Sequence, residues 1–142
     1  MSVLTDLRTY LLAYPALSVV VDDRIHPNYL PVRETQTLLP TITYHRISTP
    51  HVHDIAGAAG VATMRLQISV WASTYGKVEE ASTALRLALD GYTGTMGSSN
   101  IFSILLDNEA DNAEPPSDGS ANWIHVRHLD FLITFVESVP SF

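Results

Sequence analysis

The chain has 142 residues, 46% of them hydrophobic and 16% charged, with no cysteine and a formal net charge of -7. A chain of this length forms one domain, 1–142, able to bury roughly 70% of its unfolded surface. Disulfides and thiolate metal sites are excluded, a pattern that fits folding in a reducing cytoplasm. The acidic balance argues against phosphate-tracking DNA binding, because the eight basic residues are scattered and none lies between Arg86 and Arg127.

In chain order, MSVLTDLRTYLLAYP predicts a first helix over residues 3–13. Val3, Leu4, Leu7 and Leu11 form its apolar stripe, Ser2 or Thr5 is its cap, and Pro15 bars continuation. Polar residues interrupt the apolar pattern, and neither a basic leader nor a small-residue cleavage site is visible, so a signal peptide is not expected. Residues 19–21 read equally as the end of a short helix opened by Pro15 or as the start of a strand reaching His26. Three prolines from Pro27 to Pro40 predict an extended connector. Residues 40–49 alternate, with Ile42, Tyr44 and Arg46 on one face and Thr43, His45 and Ile47 on the other, which predicts a strand.

PHVHDIAGAAG, residues 50–60, has no period and is expected to be the long loop of a hairpin. The second arm is MRLQISVWAS, where Met64, Leu66, Ile68 and Val70 alternate with polar neighbours. Val78, Ala81, Leu85 and Leu89 then recur at helical spacing, with Ser73 or Thr74 as cap, Glu79 and Glu80 near the helix start and Gly91 as the stop. Residues 101–106 read as a strand. Residues 107–122 hold five acids, two prolines and no base, and are expected to be a solvated loop. A final strand over 123–136 places Trp123, Leu129, Phe131, Ile133 and Phe135 on one parity. The sum is α+β: an antiparallel sheet of about four strands with two main helices packed on one face and a long hairpin loop. No apolar run is long enough to span a bilayer.

Candidate chemistry is thin. His51 and His53 with Asp54 are two ligand types in need of a further partner that no sequence neighbour supplies, and exposed polar loop residues are the favoured reading. His125 and His128, three apart in a strand, fall on opposite faces. Asp107, Glu109 and Asp111 resemble a Ca²⁺ loop in spacing only, since Asn112 stands where the glycine belongs and Asp118 where the final glutamate belongs. There is no P-loop, dinucleotide fingerprint, GxSxG or HExxH, so no catalytic residue, metal ligand or cofactor is assigned.

Four segments in a fixed order carry a resemblance, DDRIHPNYLP after the first helix, LPTITYHRIS, MRLQISVWAS and ALRLALDGYTG, and the closing VRHLDFLITF also fits. Together they resemble the tail-completion or tail-terminator proteins of long-tailed bacteriophages. That resemblance implies a non-enzymatic virion protein, made in the host cytoplasm and built into the head-proximal end of the tail. It implies a homo-oligomeric ring, expected to be a hexamer, which ends tail-tube assembly. Its partners would be the major tail-tube protein and a head-side connector or stopper, with DNA passing through unrecognised and no membrane involved. The two loops are the expected contact surfaces, through His51, Val52, His53, Asp54 and Ile55 and through Asp107, Glu109, Asp111 and Glu114. Three other readings stay open: a head-closure or connector adaptor of the neck, a small metal-dependent hydrolase, and a ligand-binding domain.

Overall fold

The computed structural model describes residues 2–28, 39–115 and 123–142. Two helices open the chain, α1 (Val3–Leu12) and α2 (Pro15–Val21). The Ser2 hydroxyl caps α1 by accepting from the Thr5 backbone N–H at 3.2 Å. Pro15 ends α1 and starts α2 at a position where its missing N–H costs nothing. The ambiguous run at residues 19–21 is therefore helical, and three helices replace the expected two.

The sheet has seven strands rather than about four: β1 (Ile25–Pro27), β2 (Thr41–Ser48), β3 (His51–Asp54), β4 (Gly57–Ala72), β5 (Gly94–Met96), β6 (Ser99–Glu114) and β7 (Ile124–Val136). Their order is β1-β2-β4-β7-β6-β5, with β3 paired to β4 outside that path. β1 runs parallel to β2, so the sheet is mixed and not purely antiparallel. The prolines-rich connector expected before β2 falls largely on residues 29–38, outside the described residues.

Two further expectations are corrected. Residues 50–60 are a hairpin and not a loop: β3 returns into β4 through Ile55 and Ala56, with Asp54 paired to Gly57. Asp54 Oδ1 accepts from the Ala56 N–H at 2.8 Å, the side-chain turn that small residues and Gly57 at φ 116° allow. Residues 107–114 are strand as well, because β7 is long enough to template them. Asp107 sits in a bulge between Leu106 and Asn108, after which Asn108 to Glu114 pair with Asp130 to Ile124. Part of the rest of that expected loop, residues 116–122, lies outside the described residues.

The core lies on one face. Met64, Leu66, Ile68 and Val70 of β4 and Leu129, Phe131 and Ile133 of β7 are at most 1% exposed, and α3 (Tyr75–Leu89) covers them with Val78, Ala81, Leu85 and Leu89. Leu7, Leu11, Leu17 and Val21 of the first two helices join the same cluster. Of the two expected caps, Ser73 and Thr74, it is Thr74 that caps α3, accepting from the Lys77 N–H at 3.3 Å. Among the described residues no helix is long and apolar enough to cross a membrane.

Candidate functional site

The predicted contact residues fall on two separate features of the sheet. His51, Val52, His53, Asp54 and Ile55 form the β3–β4 hairpin, which runs past the last pair between β4 and β7, Val61 with Val136. All five are exposed; Ile55 stands fully in solvent at the turn and Val52 is half-exposed. The hairpin thus holds two apolar side chains, Val52 and Ile55, out in solvent beside a tight turn. Its base is braced from outside the hairpin: His51 Nδ1 lies 2.7 Å from Glu137 Oε1, and the Glu137 N–H donates to the Gly60 carbonyl at 2.9 Å. The chain after β7 therefore clamps the arm at its root.

Beneath that arm lies a cleft of about 320 Å³, walled by Arg46, Thr49, His51, Phe135, Glu137 and the start of α1 at Ser2 and Val3. Next to it Asp6 is buried. Its carboxylate accepts from the hydroxyls of Ser98 and Ser99, and the Ser99 bond chiefly holds its pKa below the usual range. Gly97, at φ 60°, turns the chain under this carboxylate so closely that a Cβ would sit 2.4 Å from Asp6 Oδ1.

Asp107, Glu109, Asp111 and Glu114 belong to β6, at the opposite side of the sheet from the hairpin's β3 strand. They do not act as one group. Arg65 Nη1 donates to Asp107 Oδ2 at 3.0 Å, whereas Asp111 faces the other side, towards α3. Arg127, almost buried, donates through Nε to Asp111 Oδ1 at 2.6 Å and through Nη2 to the Tyr75 hydroxyl at 2.9 Å. The same Nη2 reaches the Glu79 carboxylate, and the guanidinium stands 5.5 Å from the Tyr75 ring centre. Hydrogen bonds from Arg127 hold the Asp111 and Glu79 carboxyls below their ordinary pKa, and Asp111 raises that of the Tyr75 phenol. One cation thus pins the start of α3 to the β6–β7 ribbon. Sequence reading missed this hub, although a lone arginine within the apolar parity of β7 was the available signal.

The histidines do not converge. His125 packs edge-on to Tyr75, while His128 Nδ1 lies 2.7 Å from the Ser69 hydroxyl on the other face, as their spacing predicts. Among the described residues no three His, Asp or Glu side chains are grouped to hold a metal ion.

The candidate features are thus an exposed hairpin braced at its root, an acidic outer strand and a single arginine hub. The chain belongs to the tail completion protein gp17 family, whose model matches residues 5–126. The family is one of structural phage tail proteins and not of enzymes, and its place is in the virion. Among solved structures the chain is similar to one in the virion of a native gene transfer agent particle. The two are 14% identical with a TM-score of 0.69, over 94% of this chain and 95% of that one. That likeness shows a shared α+β fold. No curated protein sequence matches the chain.

Proposed function

We propose that this protein completes the phage tail as a homo-oligomeric ring, expected to be a hexamer. The ring ends growth of the tail tube at its head-proximal end and presents a docking surface to the head-side connector or stopper. Membership of the tail-completion family carries this reading, and the braced β3–β4 hairpin supports it by supplying a projecting element for a neighbour. The major tail-tube protein is the partner below the ring. DNA passes through the ring without being read, which an acidic subunit favours because it does not grip phosphate.

The test is loss of the gene in its own phage, followed by electron microscopy and mixing of the lysate with purified protein. The expected result is filled heads separate from tails of irregular length, with infectivity restored when the protein is pre-incubated with tails. Restoration only after pre-incubation with heads would instead make the protein a head-closure adaptor.

A further inference from the structure

The two long edges of the sheet are unlike, and the strand count relates them. Each step along β2–β4–β7–β6 is antiparallel, so the end strands of this even set run in opposite directions. Among the described residues, β1 covers the outer side of β2 at residues 42–44. On the far side β5 covers residues 99–101 of β6, the Gly91 and Tyr92 backbones engage Ile104, and Asp90 Oδ1 accepts from the Leu106 N–H. Residues 45–48 of β2 and 107–114 of β6 are exposed and, among the described residues, have no ladder partner on their outer sides.

These free edges carry opposite charges. Arg46 has no hydrogen-bond or ion-pair partner among the described residues, and neither does Glu109. Both stand on the helix-bearing face, since Arg46 pairs across to Leu66 and Glu109 to Leu129. His45 and Ala110 stand on the helix-free face, opposite Gln67 and His128.

We propose that the outer edge of β2 at His45 and Arg46 pairs antiparallel with the outer edge of β6 at Glu109 and Ala110 of a second copy of this chain. The inference rests on the ring reading above and names the interface that closes it. Rotation about an axis lying along the strands preserves each strand's direction. It therefore sets the β6 of one copy beside the β2 of the next as an antiparallel pair, with the helices of both copies on the same side. The contact is head to tail, the kind that closes rings. Setting Arg46 against Glu109 puts His45 against Ala110 on the other face. Within one copy Arg46 is level with Leu106 through Leu66 and Phe131, so neighbours are offset by about three residues, the stagger that closed sheets require. An edge lined with acids repels indiscriminate strand addition, and the unpaired arginine converts that repulsion into choice of partner.

The natural absence of cysteine makes the test direct. The double variant His45→Cys with Ala110→Cys is oxidised both as purified oligomer and in assembled particles, then run without reductant. The expected result is a ladder of disulfide-linked multimers, with each single variant staying at monomer mass. Charge reversal supplies a second readout. Arg46→Glu and Glu109→Arg should each weaken self-association about tenfold, the effect of about 1.4 kcal/mol, and the double reversal should restore it. Rings without a ladder and without rescue would overturn the pairing while leaving the ring standing, as would dimers from either single-cysteine variant. Wild-type protein that is monomeric in solution and shows no contact between copies in particles under a carboxyl-directed cross-linker would overturn the ring reading and the pairing with it.

Discussion

At the scale of residues, the Arg127 hub and the Asp6 turn do different kinds of work. Arg127→Met leaves Asp111 and Glu79 side by side without their cation, which should lower the melting temperature only modestly because both acids are half-exposed. Both carboxyls have folded pKa values lowered by Arg127, so their contribution is complete above the unfolded carboxylate range and vanishes as pH falls through the lowered folded values. The gap in melting temperature between wild type and Arg127→Met should accordingly be widest near neutrality, begin to shrink as pH falls towards about 4, and close only below the lowered folded values. A gap unchanged from pH 7 to pH 3 would show that lost packing, not charge, is the cause. Gly97→Ala tests the other site. A Cβ there meets the Asp6 carboxylate and must also hold a left-handed backbone, so a loss of about 2–3 kcal/mol is expected in denaturant melts. In an Asp6→Ala background the same change should cost only the backbone part, about 1 kcal/mol.

At the scale of elements, what was legible in the sequence was what one face of an element settles by itself. The alternation in β4 and the helical spacing in α3 follow from burial of Leu66, Ile68, Leu85 and Leu89 against each other, and the Ser73–Thr74 pair brackets the start of α3 in plain sequence. The two segments expected to make contacts are exposed, as expected, but were misread as loops. Residues 51–54 and 107–114 bury almost nothing, so they carry no hydrophobic period; they are strands because β4 and β7 template them through backbone hydrogen bonds, which side-chain pattern does not encode. The parallel pairing of β1 with β2 is likewise a long-range event that three residues cannot announce. An arm that buries so little should be dispensable to the fold. Deleting residues 52–59 should leave the melting temperature within a few degrees of wild type while infectious particle yield collapses through failure to join heads to tails. Normal yield from that deletion would remove the hairpin from the docking surface.

At the scale of the whole molecule, one hydrophobic cluster runs through α1, α2 and α3 and six of the strands, from Leu7 and Leu17 through Ile42 and Leu66 to Ile104 and Phe131. Because the first helices and the sheet share that core, neither can bury its apolar side alone, and the chain should unfold as a single domain in one transition. Leu66 lies at the centre of the sheet and Leu11 on α1, and both are at most 1% exposed. Replacing either with alanine opens a cavity and should cost about 2–5 kcal/mol. If the domain is single, the two variants shift the same transition, and far-ultraviolet and tyrosine signals move together in each. If α1 and α2 were instead a separate unit resting on the sheet, Leu11→Ala would split the melt and leave the later transition at the wild-type temperature.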